Sequence, residues 1–376
     1  MIKVVNVSSD TNIGGAGRCI LSFLKNFNRD EFDVSVIVPR SSLLIEPVTQ
    51  LNIKYYEMDG IGEKSFSVST IKNFIKIFRR IKPDIVHAHA CLSARIAAKL
   101  CKIKVVYTRH SVFPNSPLIT KGLGKLVTGA VNNSTSDTVI AVADAAKDNL
   151  TETGVKEDKI RVVKNGVSPL ELVDTNEFKE KYNLQDKFVF GMIARVEEIK
   201  GHDLFIDAAV NIHKTFPDTA FLICGTGTYY EHVKNKIAEI GAEDYIILTG
   251  YISDVTTAMN AIDVNVNASF GTEATSLSLL EGMSIGKPII ASNYGGNPEL
   301  VTEGENGVLF ETKNSKALED CMRKILENEN FYVALSFTAK KMFFEKYTSE
   351  IYTKNIEMIY SELMKGDSFD EEIQLY

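Results

Sequence analysis

The sequence has no long apolar run and no clustered cysteines. No stretch of its 376 residues approaches the ~20 consecutive apolar residues that cross a bilayer, and residues 1–5 open a strand-like pattern rather than a signal peptide. We therefore expect a cytoplasmic protein. The five cysteines are an odd number, widely spaced and without a Cys-x-x-Cys pair, so they indicate neither a disulfide framework nor a zinc site.

Two motifs that bind metal ions or dinucleotides are also missing. No Asp-x-Asp sequence occurs, so the acidic residues do not imply a divalent ion that bridges phosphates. The glycines after the first predicted strand lack the Gly-x-Gly-x-x-Gly spacing, and no acid about 20 residues later ends a second strand as a ribose-binding residue would. We expect neither a metal nor a resident cofactor.

What is present is typical of a globular protein with two domains. Hydrophobic residues make up 44% of the chain and charged residues 24%, and the mean hydropathy is -0.04. These values fit an ordinary folded protein rather than a disordered or fibrous one. At roughly 150 residues per domain, the length predicts two domains.

Charge is distributed unevenly along the chain. Residues 1–166 contain 24 basic and 15 acidic residues, whereas the remainder contains 18 basic and 34 acidic ones. Between Lys64 and Lys125 the single acid is Asp84. This bias favours an anionic partner such as a phospholipid surface, although solvated lysines are the plainer alternative. Few aromatic residues are interleaved with the basic ones, so we expect no nucleic acid.

Strand-like apolar runs alternate with amphipathic stretches, a pattern typical of parallel sheets with crossover helices. The predicted strands cover residues 2–7, 33–38, 84–88, 103–108 and 138–142, and then 188–193, 220–224, 245–248, 263–267 and 288–291. An amphipathic helix is predicted over residues 71–82. We predict an α/β protein of two doubly wound, Rossmann-like domains that face each other across a cleft.

A turn at residues 164–169, with Asn-Gly and Pro, marks the linker between the domains. The predicted domains are residues 1–167 and 168–347. A last helix, at about 348–366, can pack back onto the first domain. Residues 367–376 form an acidic tail.

Glycines and cations follow several predicted strands. Gly14 and Gly15 come after the first strand, where exposed backbone N–H groups and a helix N-terminus favour an anion. Arg195 ends a strand of the second series and Lys200 begins a helix, so both could reach a diphosphate. A tight turn and two surface cations are the structural alternatives.

Two glutamates with seven residues between them flank a predicted helix start. Thr275 and Ser276 are placed to cap that helix. At ~1.5 Å per residue, Glu273 and Glu281 are expected roughly 12 Å apart along its axis, a spacing that suits an extended ligand such as a sugar nucleotide. Alternatively, both glutamates are surface residues that stabilise the helix dipole.

Together these segments resemble the retaining GT-B glycosyltransferases of family 4. That family has an acid pair, Gly-x-Pro and a Gly-Gly-x-x-Glu turn, which correspond here to Glu273, Glu281, Gly286-Lys287-Pro288 and Gly295-Gly296-Asn297-Pro298-Glu299. The resemblance covers nearly the whole chain and also includes Gly14-Gly15, Asp84-Ile85-Val86-His87-Ala88-His89, Thr108-Arg109-His110, Asn165-Gly166-Val167, Arg195 with Lys200-Gly201, and Gly250-Tyr251.

The resemblance implies a set of site residues. The residues expected to bind the donor are Gly14, Gly15, Arg195, Lys200, Tyr251, Ala274, Thr275, Ser276, Leu277 and Glu281. The residues expected to take part in catalysis are Glu273, His110, Arg195 and Lys200. Glu273 would meet the transferred sugar, Glu281 the ribose and Tyr251 the base. Gly14 and Gly15 would close on the phosphate, and His110, or else His87 or His89, would sit beside the reacting centre.

Two positions depart from the family pattern. The family often has Glu-Gly and an aromatic residue where this chain has Glu273-Ala274-Thr275, so the groups that meet the donor sugar could differ. A serine common in the first domain is replaced here by Ala143-Asp144.

The activity that the resemblance implies is transfer of a hexose-type sugar to an acceptor hydroxyl, with retention at the anomeric carbon. The donor is expected to be a nucleoside-diphosphate sugar, first of all a UDP-sugar, and the pathway polysaccharide or glycolipid assembly. The basic first domain favours a lipid-linked or otherwise anionic acceptor and peripheral contact with an anionic inner membrane face. The alternatives are a sugar-nucleotide 2-epimerase, which needs no acceptor, and a noncatalytic sugar-nucleotide-binding protein.

Overall fold

A computed structural model describes residues 1–62 and 66–366 in two compact units. The first unit comprises Met1–Val167 together with the segment from Ser349, and the second comprises Ser168–Thr348. Lys64 of the basic segment and the predicted acidic tail lie outside the described residues. Within the described ranges, no helix is both long and apolar enough to cross a membrane.

The first unit is built on a parallel sheet. Its strands are β1 (Ile2–Ser8), β2 (Phe32–Pro39), β3 (Lys54–Met58), β4 (Ile85–His89), β5 (Lys104–Arg109), β6 (Thr138–Ala141) and β7 (Ile160–Val162). Their order across the sheet is β3-β2-β1-β4-β5-β6-β7. Residues 4–8 of β1 are all buried, because helices cover both faces of a doubly wound sheet. The order reverses between β1 and β4, which makes this the switch point of the sheet.

The helices of this part of the chain connect successive strands. They are α1 (Gly15–Asn26), α2 (Ile45–Gln50), α3 (Val68–Ile81), α4 (Leu92–Leu100), α5 (Pro117–Thr120), α6 (Gly122–Thr135) and α7 (Asp144–Glu152). The helix predicted over residues 71–82 is confirmed as α3. It begins earlier than predicted because Ser67 caps it, and it ends before Lys82, which adopts a left-handed conformation.

The second unit is built on another parallel sheet. Its strands are β8 (Phe188–Ile193), β9 (Thr219–Cys224), β10 (Ile246–Gly250), β11 (Val264–Asn267), β12 (Ile289–Ser292) and β13 (Gly307–Phe310), in the order β10-β9-β8-β11-β12-β13. Its helices are α8 (Asn176–Lys181), α9 (His202–Thr215), α10 (Tyr230–Glu239), α11 (Val255–Ala261), α12 (Leu277–Ser284), α13 (Asn297–Leu300), α14 (Ser315–Leu326) and α15 (Glu329–Lys346). The strand order of this sheet reverses between β8 and β11.

The last described helix, α16 (Ser349–Lys365), belongs to the first unit and packs against α1. Tyr352, Ile356 and Tyr360 are buried on its inner face. The ring of Tyr360 meets the edge of Phe23 from α1, with ring centroids 5.8 Å apart. Helix α16 therefore covers the same face of the first sheet as α1.

Every predicted strand is present, with ends shifted by at most two residues. Three strands that the sequence did not indicate, β3, β7 and β13, all lie at sheet edges. Edge strands are buried on fewer sides, so their sequences carry a weaker apolar signal. In β3, for example, only Met58 is fully buried.

Candidate active site

Lys200 and Glu273 form an ion pair in the second unit, beyond the strand ends where the order reverses. A 3-10 turn, Glu198–Lys200, follows β8, and the segment that carries Glu273 follows the neighbouring strand β11. Lys200 Nζ lies 2.6 Å from Glu273 Oε2, and the two side chains are 13% and 8% exposed. Doubly wound sheets bind ligands at this position, so the pair marks the candidate active site.

The Glu273 carboxylate is held through one of its two oxygens. Glu273 Oε2 accepts hydrogen bonds from Lys200 Nζ at 2.6 Å, from Ser269 Oγ at 2.8 Å and from Asn267 Nδ2 at 3.3 Å. Among the described residues no donor reaches Oε1. The carboxylate is thus fixed in orientation, while Oε1 retains its capacity to accept hydrogen bonds from a ligand.

Two glycines allow the backbone around this pair to pack closely. Gly201 has φ +78°, and a Cβ on it would lie 2.2 Å from the carbonyl oxygen of Ala268 at the end of β11. Gly295 has φ +59°, and a Cβ on it would lie 2.0 Å from the carbonyl oxygen of Glu273. Any larger residue would push these segments apart, so both glycines help to bring Lys200 and Glu273 together.

The helix predicted to start between the two glutamates begins where Ser276 was expected to cap it. Ser276 Oγ accepts a hydrogen bond from the Leu279 N–H and caps α12, whereas Glu273 lies in the preceding loop. The Gly296 N–H donates to the Glu273 carbonyl oxygen at 3.1 Å, which holds this residue outside the helix. The expected spacing of roughly 12 Å assumed helical rise between the two acids, and only Glu281 is helical, so that rise does not apply to the residues before Leu277. Glu281 is buried on α12.

The remaining residues predicted for this half of the chain differ in exposure. Ala274, Ser276 and Leu277 are buried around the start of α12, and Thr275 is partly buried. Arg195 is exposed after β8. Tyr251 is 76% exposed after β10, with its aromatic ring available to a ligand.

Three histidines lie close together in the first unit, with neighbouring ring centroids 4.3 and 5.0 Å apart. His87 and His89 lie on β4, and His110 directly follows β5. His89 Nδ1 lies 2.7 Å from His110 Nε2, and His89 Nε2 lies 3.1 Å from Asn6 Oδ1 on β1. His87 bonds to other groups, with Nδ1 2.7 Å from the Tyr360 hydroxyl and Nε2 2.6 Å from Thr108 Oγ1.

The contacts of His89 determine which nitrogen of His110 carries the proton. With Asn6 Oδ1 as acceptor, His89 is protonated on Nε2 and accepts through Nδ1. His110 then donates from Nε2 and keeps its lone pair on Nδ1, which is buried without a hydrogen-bond partner among the described residues. Burial lowers the pKa of His110 to about 4 and that of His87 to about 3, and it holds the pKa of His89 well below its ordinary value. The cluster is neutral at pH 7.

The paired glycines of the first unit stand in open space. Gly14 is the N-cap residue of α1, and a Cβ placed on Gly14 or Gly15 would meet no described atom within 4 Å. The first turn of α1 contains no acid. These features are compatible with an anion at this helix N-terminus, and the contact with a donor phosphate stays a prediction.

Comparison with known proteins assigns this arrangement to a family. Residues 13–169 match Glycosyltransferase Family 4, and residues 174–342 match Glycosyl transferases group 1. The chain belongs to these glycosyltransferases. An uncharacterized glycosyltransferase of Methanocaldococcus jannaschii is 26% identical over 94% of this chain and 96% of its own length. The Escherichia coli UDP-Gal:alpha-D-GlcNAc-diphosphoundecaprenol alpha-1,3-galactosyltransferase is 25% identical over 87% of this chain and 89% of its own length.

Solved structures confirm the predicted GT-B fold of this glycosyltransferase. Anabaena HepE, crystallised with UDP and glucose, superposes with a TM-score of 0.84 at 20% sequence identity. The match covers 96% of this chain and all of HepE. At this sequence identity the likeness establishes the fold, two α/β domains each built on a parallel sheet. It does not establish which ligand this chain binds.

Sequence reasoning missed the residues that hold Glu273 and His89 in place. Asn267 and Ser269 hold Glu273, and Asn6 orients His89, but none of them belongs to a segment that carries the resemblance. One signal was available: all three are polar residues within, or directly after, an apolar strand beside a switch point. A buried polar side chain in such a strand needs a partner, which here is a residue that the sequence predicts for the site.

The histidine cluster predicts how stability of the glycosyltransferase changes with pH. The pKa values of His87, His89 and His110 are lowered in the folded protein. As the pH falls below about 6.5, the unfolded chain therefore binds protons at these histidines, whereas the folded protein does not. Stability should be full above pH 6.5 and fall as the pH decreases toward 4, by up to about 1.4 kcal/mol per pH unit for each histidine.

Urea unfolding at pH 7.5, 6 and 5 measures this effect before most carboxyl groups titrate. In the variant His87→Gln the unfolding free energy should fall less steeply as the pH decreases. The difference in slope should correspond to the uptake of about one proton, whatever the absolute stability of the variant. An unfolding free energy that stays constant from pH 7.5 to pH 5 would contradict the assignment of neutral buried imidazoles.

Proposed function

We propose that this glycosyltransferase moves a hexose-type sugar from a UDP-sugar to a hydroxyl of a lipid-linked acceptor, with retention at the anomeric carbon. The observation that carries the proposal is the Glu273 carboxylate, fixed by Lys200 at a switch point with Oε1 open to a ligand. Two relatives support the substrates. The Escherichia coli relative is named for UDP-Gal and a diphosphoundecaprenol acceptor, and HepE has been crystallised with UDP-glucose.

The proposed donor site opposes the charge that develops during transfer. Departure of UDP places negative charge on the diphosphate, and the sugar becomes oxocarbenium-like. Lys200, Arg195 and the N–H groups at the start of α12, whose first turn carries no acid, stabilise the leaving diphosphate. Glu273 Oε1 accepts hydrogen bonds from the sugar hydroxyls, and its charge favours the positive character of the ring.

Glu281 and Tyr251 complete the proposed donor site. The buried Glu281 carboxylate accepts hydrogen bonds from the ribose hydroxyls, and the exposed ring of Tyr251 stacks on the base. The ring offers a large flat surface at the end of an edge strand, a position that a planar base can reach.

Front-face attack accounts for retention better than a covalent intermediate. The Glu273 carboxylate already accepts three hydrogen bonds through Oε2, one of them from a cation, and such contacts weaken a carboxylate as a nucleophile. In front-face attack the bond from C1 to the phosphate oxygen breaks while the bond from C1 to the acceptor oxygen forms. The proton of the acceptor hydroxyl moves to the departing phosphate oxygen.

A panel of nucleotide sugars tests the proposed activity. The protein is incubated with UDP-, GDP- and ADP-hexoses, with and without a polyprenyl diphosphate-linked sugar, and nucleoside diphosphate release is measured. We expect release with a UDP-hexose that increases with acceptor, and a product with the anomeric configuration of the donor by NMR. Release with no UDP-sugar, or a product of inverted configuration, would contradict the proposal.

A surface of the first unit suits attachment to a membrane. Helices α5 and α6 expose a set of apolar side chains, which are Leu118, Leu123, Leu126 and Val127. Lys121 lies between the two helices and Lys125 lies on α6, and residues 117–135 contain no acid. We call these six residues the α5–α6 surface. Exposed leucines beside lysines fit the boundary between anionic headgroups and acyl chains.

Vesicle binding tests the α5–α6 surface. We expect the protein to sediment with phosphatidylcholine vesicles that contain phosphatidylglycerol, and to be released by salt. The variant Leu123→Asp/Leu126→Asp should lose this binding, because it places charge in the apolar boundary. Phe337→Asp, which alters an equally exposed side chain on α15 of the second unit, is the matched control and should bind normally. Equal binding by both variants would refute a role for this surface.

A further inference from the structure

The first unit contains a cavity of about 570 Å³ that no part of the proposed donor site uses. It lies beyond the carboxyl ends of β4 and β5, and helices α4, α5, α6 and α7 contribute to its walls. This volume is in the range of pockets that hold small ligands.

Two arginines line the cavity without a carboxylate partner. Arg95 is only 5% exposed, and its guanidinium lies 4.1 Å from the centre of the Tyr107 ring. It donates to neutral groups, Asn132 Oδ1 at 3.0 Å and Ser136 Oγ at 3.2 Å, and its Nε is buried with no partner among the described residues. Burial lowers the pKa of Arg95 from its ordinary value. A buried cation in this state is costly unless an anion joins it.

Arg109 adds a second positive charge to the same cavity. Its Nε donates to the Ser111 carbonyl oxygen at 2.9 Å and its terminal nitrogen donates to Asn149 Oδ1 at 3.2 Å. Both acceptors are neutral. Within the described part of the chain, the lining of the cavity contains no aspartate or glutamate. The described lining of the cavity therefore carries two positive charges and no negative charge.

The backbone contributes to the same preference for an anion. Helix α4 begins at the cavity, where Ala90, Cys91 and Leu92 line the wall. Its first turn contains no acid. Helix N-termini of this kind attract anions, and the unpartnered Nε of Arg95 independently points to one.

One wall of the cavity is apolar and leads to the α5–α6 surface. Ile119, Val127 and Val131 line it. Val127 also belongs to the α5–α6 surface, so the apolar wall and that surface are continuous. A ligand that fits both walls has a phosphate-like anion at one end and an aliphatic chain at the other.

We propose that this cavity binds the phosphate or diphosphate of the lipid-linked acceptor. Arg95 and Arg109 receive the anion, the N–H groups of α4 approach it, and the aliphatic chain leaves along Ile119, Val127 and Val131. This inference rests on the proposed function, because it names the part of the acceptor that the first unit recognises.

Calorimetric titration with small probes tests the cavity directly. The probes are geranyl diphosphate, inorganic diphosphate and geraniol, each added to the protein saturated with UDP so that the donor site is occupied. We expect geranyl diphosphate to bind most tightly, inorganic diphosphate more weakly and geraniol not detectably. If inorganic diphosphate binds as tightly as geranyl diphosphate, the aliphatic chain contributes nothing to binding. That result would refute the lipid-linked ligand and indicate a site for free phosphate or diphosphate. No binding by either diphosphate would overturn the proposal.

Variants localise the binding. Arg109→Met and Arg95→Met should weaken geranyl diphosphate about 10- to 100-fold, which corresponds to loss of a charge-assisted contact. Arg79→Met, at an exposed position of α3, removes the same charge and should have no effect. Unchanged affinity in Arg109→Met, which is only half-buried and should fold normally, would refute the proposal even if Arg95→Met fails to fold.

Two measurements on the normal protein separate this inference from the proposed function. Hydrolysis of the UDP-sugar in the absence of acceptor reports on the donor site, and titration with geranyl diphosphate reports on the cavity. If the normal protein releases UDP but does not bind geranyl diphosphate, the cavity is misassigned and the activity stands. If it binds geranyl diphosphate but releases UDP from no donor, the activity is misassigned and the cavity remains an anion site.

Discussion

Replacing Glu273 by Gln is expected to lower turnover about 100- to 1,000-fold while changing UDP affinity little. The amide keeps the size of the side chain and can still accept hydrogen bonds from Lys200 and Ser269, so the fold of the loop should persist. What is lost is the negative charge beside the sugar, which matters most in the transition state. Steady-state kinetics with the best donor, together with calorimetric titration of UDP, measure the two effects separately.

Replacing Lys200 by Met is expected to have a broader effect. The Glu273 carboxylate, only 8% exposed, then keeps its charge without its cation, which costs about 3–5 kcal/mol of stability. Donor binding and turnover both fall, because Lys200 also faces the leaving diphosphate in the proposed mechanism. Adding Glu273→Gln to Lys200→Met removes the unpaired charge, so the double variant should be more stable than Lys200→Met alone.

The double-mutant cycle decides whether the two residues act as one unit. Turnover of the double variant should be close to that of the poorer single variant. If the two residues act together, either single change already removes most of their joint contribution to catalysis. The exposed pair Lys341 and Glu345 on α15 provides the matched control. Its variants should stay within about 0.5 kcal/mol of the normal stability. Fully additive losses at Lys200 and Glu273 would show that the ion pair plays no part in catalysis.

The sequence predicted the residues of this pair but not their contact. Order and spacing of motifs identified Lys200 and Glu273, and alternation of strands and helices predicted that both follow parallel strands of one sheet. Their contact depends on which two strands are neighbours, β8 and β11, and that order is decided by packing across 73 residues of chain. Local patterns carry no information on it, whereas the switch-point rule would have placed both residues in one crevice.

Helix α12 shows a second limit of sequence reasoning. Seven residues between the acids suggested a common helix axis, but the loop before α12 is held by contacts with other segments. The Gly296 N–H binds the Glu273 carbonyl oxygen, and Ser276 starts the helix after it. The capping side chain of Ser276 could be predicted from the sequence, whereas the conformation of the loop that carries Glu273 depends on tertiary contacts, which local patterns do not report.

In the first unit, too, the sequence predicted the candidate histidines but not their contacts. The histidines stood out in the sequence because they lie in or beside strand ends. That His89, rather than a carboxylate, contacts His110 follows only from the pairing of β1, β4 and β5. The register pairs His89 with Ser8 and Thr108, so Asn6 and His110, each two residues from one of these partners, lie diagonally beside His89. A charged partner would raise the pKa of His110, whereas this neutral chain leaves it low.

Replacing His110 by Ala is expected to lower turnover about 100-fold or more, because it removes the Nδ1 hydrogen-bond acceptor that we predict orients a reacting hydroxyl, whose proton goes to the departing phosphate oxygen. His89→Phe should lower turnover about 10-fold or more, since it removes the group that accepts the His110 Nε2 proton and sets the ring orientation. Neither change should alter the Kd for UDP. His89 acts as a positioning residue in this account, so His89→Phe should have little further effect when His110 is already Ala.

Thr108→Val provides the control for this pair. It removes the hydrogen bond from Thr108 to His87 within the same buried cluster but leaves the chain from Asn6 through His89 to His110 intact. Turnover should therefore be nearly normal. Nitrogen-15 NMR of the imidazoles should report His110 protonated on Nε2 in the normal protein and a mixture of the two neutral forms in His89→Phe. If His89→Phe lowers turnover while His110 keeps its proton on Nε2, His89 does not act by setting the tautomer of His110, and this account is wrong.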